Sequence, residues 1–281
     1  MKIIFNFLSR HLAFYFYSIV CNTLLTVYIF RSSQIKLIKI NKKTHIKVKS
    51  MSNPYEIQYQ QALDPNTREA FWSKHAEKVD WYRKPTQILT EAPPNNSLWF
   101  KDGLLNMCYN CIDRHLVDCG SSLALIYESP VTKRSKVYTY TELYYHVSKF
   151  AGLMKSYGVG KGDRVILYMP MIPEAVFAML ACARLGAIHS VVFGGFAAKE
   201  LSGRIKDAEP KLIVSASCGL ELTKIIDYKG MLDEALVLSG YSDKLKVILV
   251  QRPMKIATNI VAGRDFEYHK VTSQIFYLFN Y

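Results

Sequence analysis

Between Arg164 and Val250 short apolar runs alternate with helix-like segments, and this alternation constrains the fold more than any other feature of the chain. Arg164 to Tyr168, Ile188 to Phe193, Leu212 to Ser215 and Val247 to Val250 have the length and apolar composition of buried strands. The intervening segments carry helix punctuation. Pro173-Glu174 opens one helix and Gly186 suits its left-handed end; Ala198 to Asp207 and Tyr228 to Leu238 read as two more. Strands separated by helices require right-handed crossovers, so the class is α/β, with a mostly parallel sheet flanked by helices on both faces.

Upstream the pattern is helical. Tyr55 to Asp64, Thr67 to Arg83 and Asn106 to Asp118 read as helices, with a loop at Glu91 to Asn96. Leu123 to Tyr127 reads as a strand. Thr139-x-x-Glu142 matches a capping box, in which hydroxyl and carboxylate answer the free N–H groups of a helix start; that helix runs to about Tyr157 and stops at Gly158, Gly160 and Gly162. The expected order is therefore a leader or anchor (1–50), an N-terminal helical region (51–115), an α/β domain (116–270) and an apolar tail (271–281).

The net charge of +13 suggests nucleic-acid binding until its distribution is considered. The first 50 residues contain nine lysines and arginines and no acidic residue, leaving the other 231 with a net charge of +4. A nucleic-acid footprint belongs on the folded body, so that function is excluded. Within the leader, Leu12 to Phe30 is a run of 19 uncharged residues between Arg10 and Arg31, followed by six lysines at positions 36 to 49. It fits a membrane anchor, a targeting leader or an upstream extension before Met51. Six irregularly spaced cysteines do not form a disulfide framework.

Two segments fall beyond strand ends, where α/β sheets bind ligands. Phe193-Gly194-Gly195-Phe196 permits close backbone approach to a ligand ahead of a helix N-terminus. Ser215 to Lys224 reads as a flexible loop whose Lys224 can meet a phosphate. Each has a plainer reading, as a strand-to-helix turn and as a solvated lysine. Neither G-x-G-x-x-G nor G-x-x-x-x-G-K-[ST] occurs in the sequence. Cys108-x-x-Cys111, lacking a second matching pair and set in a helix, reads as packing rather than a metal site. Asp113-Arg114-His115 reads as a helix-surface ion pair and His189 as a core histidine.

Several motifs resemble the short-chain acyl-CoA synthetases. They are Tyr55-Glu56, Phe71-Trp72 and Val79-Asp80-Trp81; Trp99-Phe100 with Leu104 and Asn106, Asn110 and Asp113-Arg114-His115; and the run Met169 to Phe196 with Arg204-Ile205. Tyr127 to Thr132, Phe196 to Ser202 and Gly263-Arg264-Asp265 are similar to the mitochondrial propionate-activating branch. The resemblance implies the start of an adenylate-forming-enzyme fold and a family that joins acetate or propionate to coenzyme A with ATP and Mg. It implies a mitochondrial-matrix location, with cytoplasmic or membrane-anchored alternatives. It places coenzyme A contacts on Glu221, Leu222, Thr223 and Lys224, where the family usually has Gly and Arg at the last two positions. The family's T-S-G-T-T-G-x-P-K-G loop does not follow Gly263-Arg264-Asp265; the sequence reads Val271 to Tyr281, VTSQIFYLFNY, instead. The expectation is thus an N-terminal portion of a carboxylate–CoA ligase, inactive alone and without catalytic residues. The alternatives are a non-catalytic module that associates with the full-length enzyme, or a membrane-anchored coenzyme A-binding protein.

Overall fold

A computed structural model describes residues 2–5, 53–91, 97–221 and 223–273. The apolar run 12–30 lies outside the described residues, as do 274–281 of the tail. No helix among the described residues is long and apolar enough to cross a membrane. The chain divides into two compact units, residues 7–103 and residues 1–6 with 104–281. Strand β1 (Lys2–Phe5) belongs to the second.

In the smaller unit, α1 (Pro54–Leu63) starts where Asn53 Oδ1 accepts the Tyr55 N–H at 3.1 Å and proline occupies the first turn. Helix α2 (Arg68–Ala76) is shorter than the Thr67–Arg83 span expected. The Trp81 indole N–H donates to the Ala76 carbonyl at 2.8 Å, so a side chain takes an acceptor that ends the helix. Strands β2 (Leu89–Thr90) and β3 (Leu98–Trp99) form a short antiparallel pair. Trp72 meets Trp99 edge-on at 5.5 Å, and Trp81 lies 5.6 Å from Phe100. The Asp102 carboxylate accepts from the Thr86 hydroxyl at 2.6 Å and from the Thr86 and Gln87 N–H groups, which holds its pKa at about 2.

The larger unit begins with α3 (Met107–Cys111), a 3-10 turn (Asp113–His115) and α4 (Leu116–Cys119), where one helix was expected. The break falls at Ile112, which is fully buried with φ −127° and ψ −64°. Strands β4 (Leu123–Ser129) and β5 (Arg134–Thr139) form an antiparallel hairpin, and β1 pairs with β4. The capping box forms at α5 (Tyr140–Ser156): Thr139 Oγ1 accepts the Glu142 N–H at 3.2 Å, and a Glu142 oxygen accepts the Thr139 N–H at 2.8 Å.

There follow β6 (Arg164–Tyr168), α6 (Pro173–Leu185), β7 (Ile188–Val192), α7 (Ala198–Ala208), β8 (Leu212–Ala216), β9 (Gly219–Glu221), β10 (Lys224–Ile226), α8 (Tyr228–Ser239), β11 (Lys246–Val250), β12 (Asp265–Glu267) and α9 (Tyr268–Thr272). Gly186 ends α6 at φ 70°, a conformation that glycine adopts without a Cβ penalty. Five strands pair in parallel in the order β12-β11-β8-β6-β7. The step from β6 to β7 runs one way across the sheet and the step from β7 to β8 runs back over β6. Right-handed crossovers therefore put α6 and α7 on opposite faces. Helix α5 packs with α6, and α7 with α8. Ile166, Tyr168, Ile213 and Val247 meet Leu201, Ile205, Leu232 and Leu236 in one buried cluster on the α7–α8 face.

Strands β6, β8 and β11 are covered on both faces. Strand β7 is an edge and departs from the expected burial: Ile188, His189 and Val191 are exposed. His189 is therefore not a core histidine, because no outer strand pairs with β7 among the described residues.

Candidate functional site at the carboxyl edge of the sheet

The strand order reverses between β6 and β8, and doubly wound sheets bind ligands beyond the carboxyl ends of their strands at such a point. Three segments converge there: Met169–Ile172 after β6, Phe193–Ala197 after the neighbouring β7, and Ser217–Cys218 after β8.

The first residue of α8 fills the space between the last two. Tyr228 stacks on Tyr168, ring centroids 4.8 Å apart, and is almost wholly buried. A Cβ on Gly194 would lie 1.7 Å from the Tyr228 hydroxyl oxygen, and one on Gly219 would lie 2.4 Å from Tyr228 Cε1. Both positions exclude any side chain. The close approach expected of Gly194 toward a ligand is thus made to a tyrosine ring of the same chain. The Tyr168 hydroxyl donates to the Phe196 carbonyl at 2.9 Å, which pins the glycine turn to β6. Burial pushes the Tyr228 hydroxyl pKa up; Arg252 opposes this and Glu221 adds to it, leaving a neutral donor at physiological pH.

Arg252 follows β11 by two residues. Its N–H donates to Ser217 Oγ at 2.9 Å and its Nη1 to the Cys218 carbonyl at 2.9 Å. Beyond Cys218, the stretch expected to be a flexible loop is partly a hairpin, with Lys224 opposite Glu221 across the β9–β10 pair. Glu221, Thr223 and Lys224 are exposed; Leu222 lies outside the described residues.

A second cluster anchors the amino end of α8. Lys229 is fully buried and donates to both Asp233 oxygens, at 2.7 and 2.6 Å, and to the Asn259 carbonyl at 2.9 Å. It also lies 3.1 Å from Asp265 Oδ2. Arg264 donates to Asp233 at 2.5 Å and to Asp265 at 2.7 and 2.9 Å. Two cations and two carboxylates thereby tie α8 to β12. For Asp265, burial raises the pKa, but Arg264, the Val261 N–H and Lys229 outweigh it and hold the carboxyl below its ordinary value. Gly263-Arg264-Asp265, singled out by resemblance, thus supplies half of a structural ion network.

The remaining candidates are also structural. Asp113 does not form a helix-surface pair. It receives two hydrogen bonds from Arg184 on α6, at 3.0 and 2.6 Å, in a largely buried contact, with the guanidinium 5.0 Å from the Tyr144 ring. Arg114 donates to Asn110 at 3.0 Å. Cys108 and Cys111 pack in the core, where burial pushes their thiol pKa values to about 12 and about 11. Cys182 is also buried, 3.8 Å from Met154 Sδ. No group of three or more His, Cys, Asp or Glu among the described residues is placed to hold a metal.

Tyr228, Arg252 and the Lys229 network have only weak local signals. Asp227 is recognisable as a helix cap and its Oδ1 accepts the Gly230 N–H at 3.1 Å, but no spacing in the sequence places Tyr228 against Gly194.

These features define a doubly wound α/β fold with a candidate site at its switch point. The structure aligns with an acetoacetyl-CoA synthetase from Streptomyces lividans at a TM-score of 0.67 and 20% identity, over 82% of this chain and 34% of that one. The model for AMP-binding enzymes matches residues 114–260 and that for the acetyl-coenzyme A synthetase N-terminus matches 55–111. The chain belongs to the AMP-binding enzyme family. It is 44% identical over 201 residues to the human mitochondrial acyl-CoA synthetase short-chain family member 3, covering 71% of this chain and 29% of that protein. It is 42% identical over 220 residues to an acetyl-coenzyme A synthetase of Bartonella bacilliformis, covering 77% and 33%. The chain therefore spans about 30% of the length of these curated relatives.

Proposed function

We propose that these 281 residues form the N-terminal scaffold of a carboxylate–CoA ligase acting on acetate or propionate in the mitochondrial matrix. The tandem match to an acetyl-coenzyme A synthetase N-terminus and an AMP-binding enzyme carries the reading. Identity to a relative named mitochondrial supports the location. Residues 51–115 are the helical region, 116–270 the start of the adenylation domain and 271–281 a divergent tail; 1–50 is a leader or anchor whose Lys2–Phe5 strand pairs with β4.

Glu221, Leu222, Thr223 and Lys224 are the coenzyme A contacts. The β9–β10 pair, which carries Glu221 and Lys224, follows the carboxyl end of β8, and it leaves Lys224 exposed where an anionic ligand can reach it. Lysine supplies the charge but not the bidentate fork of arginine, so its phosphate contact is a single-point one. Chemistry at a carboxylate needs ATP phosphates held against it, and the family's Ser/Thr/Gly-rich loop is absent from these 281 residues. The 281-residue chain alone therefore binds coenzyme A without forming an acyl-adenylate.

Two assays test this. Purified protein is expected to give no ATP–pyrophosphate exchange with acetate or propionate above a protein-free control; robust exchange refutes the inactivity. Lys224→Ala is expected to weaken coenzyme A binding, and unchanged affinity refutes the assignment. The exposed apolar residues of β7 favour a second reading, in which the chain associates with the full-length ligase. Failure of the two to co-purify counts against it.

A further inference from the structure

Four residues near the start of the chain constrain the path of everything between them and the α/β body. Lys2–Phe5 form β1, which pairs antiparallel with β4: Lys2 stands opposite Glu128, Ile3 opposite Tyr127, Ile4 opposite Ile126 and Phe5 opposite Leu125. Strand β4 is thereby the middle strand of a sheet in the order β1-β4-β5. It is fastened to the body, since Leu125 is fully buried, Tyr127 nearly so, and the strand packs against α5. Pairing with β1 occupies the N–H and C=O groups that an open outer edge of β4 would leave to any passing strand.

Strands β1 and β4 belong to the same compact unit. The chain between its two parts, residues 7–103, therefore leaves that unit and returns to it on one side of any bilayer. Such a segment crosses a bilayer an even number of times. It holds one uncharged run of about spanning length, Leu12 to Phe30, between Arg10 and Arg31. Two crossings need two such runs. Residues 31–50 supply no second one: they carry Arg31 and six lysines, which the hydrocarbon core disfavours. No helix among the described residues is long and apolar enough to cross either. With one candidate run and an even number of crossings, the count is zero.

We infer that β1 is a topological clasp: its pairing with β4 returns the N-terminus to the body and forbids Leu12 to Phe30 from threading a bilayer as a single-pass anchor. The outer edge of β4 is the docking surface, and its occupant is the chain's own N-terminal strand. A single-pass anchor is open only to a chain whose β1 has left β4. The inference stands apart from coenzyme A binding and decides between readings of the leader that the sequence leaves open.

Two measurements on the full chain test it. Adjacent strand residues point their N–H groups to opposite edges, so the double variant Ile3→Pro, Ile4→Pro removes a ladder donor whichever edge each faces. In hydrogen exchange it is expected to speed part of the amides of Leu123–Ser129 by roughly tenfold or more, while those bonded to β5 stay slow. Equal exchange across β4 in variant and wild type overturns the inference. For topology, the wild-type chain is synthesised in the presence of sealed phosphatidylcholine vesicles, with one epitope before Met1 and another after Tyr281. External protease is expected to reach both epitopes to the same extent. Protection of one epitope with digestion of the other overturns the inference.

Discussion

Replacing Lys229 with methionine removes one positive charge from a buried group of four while roughly preserving side-chain volume. In the wild type Lys229 and Arg264 balance Asp233 and Asp265, and the Lys229 and Asp265 side chains are both 0% exposed. The substitution leaves one negative charge in excess. Removing one partner of a buried ion pair costs about 3–5 kcal/mol. Arg264 still reaches both aspartates and Asn259 Nδ2 still donates to Asp233 at 2.6 Å, which places the cost near the lower end, about 3 kcal/mol. For a domain of this size that lowers the melting temperature by roughly 6–12 °C. Thermal unfolding followed by circular dichroism measures it. The double variant Lys229→Met, Asp265→Asn restores charge balance and is expected to be destabilised by less than the sum of the single changes, with a coupling above about 1 kcal/mol. A single variant within 2 °C of wild type, or strictly additive effects, would refute the role given to the network. The pH dependence follows with a definite sign. Asp265 has a folded-state pKa below its unfolded value, so its contribution is complete above the unfolded carboxylate range and lost as pH falls through the folded pKa. Asp265→Asn should flatten that acid limb.

Gly194→Ala forces a methyl group into the Tyr228 ring and should destabilise by about 1–3 kcal/mol, with partial rescue by Tyr228→Leu in the same chain; a neutral Gly194→Ala in chemical denaturation contradicts the clamp. His146 lies flat on Phe177 at 4.8 Å, and its pKa is lowered by burial first, then by Lys136 and Lys149, with Glu142 opposing. The folded state then binds fewer protons than the unfolded state, so stability is full above the unfolded pKa of about 6.5 and declines as pH falls from there through the folded pKa. His146→Phe should flatten that step in a melting-temperature profile, and an unchanged step refutes the assignment. Ile188 and Val191 on the open edge of β7 should drive concentration-dependent self-association, which Val191→Lys reduces; sedimentation showing a monomer at all concentrations counts against this.

Features encoded by neighbouring residues were legible in the sequence. Thr139 and Glu142 cap α5, Pro173 and Gly186 bound α6, and β6 spans Arg164–Tyr168 as expected, because caps, breakers and apolar runs act within a few positions. Strand β5 has no such signal, because Arg-Ser-Lys-Val lies exposed on a hairpin edge and carries no apolar alternation. Helix α2 stops at an indole five residues further on, and Asp113 turns toward Arg184, 71 positions away; no local pattern encodes either contact. The same limit applies to the site. Lys224 could be nominated from its loop, whereas Arg252 reaches the Cys218 carbonyl only once β8 and β11 lie side by side.

The function proposed for this chain depends on coenzyme A being held at the carboxyl edge of the sheet through Lys224. Calorimetric titration of coenzyme A into the purified 281-residue chain tests it most directly. Saturable one-to-one binding, weakened by Lys224→Ala, is the predicted result. Absence of binding in the wild type, or binding indifferent to Lys224→Ala, would contradict it.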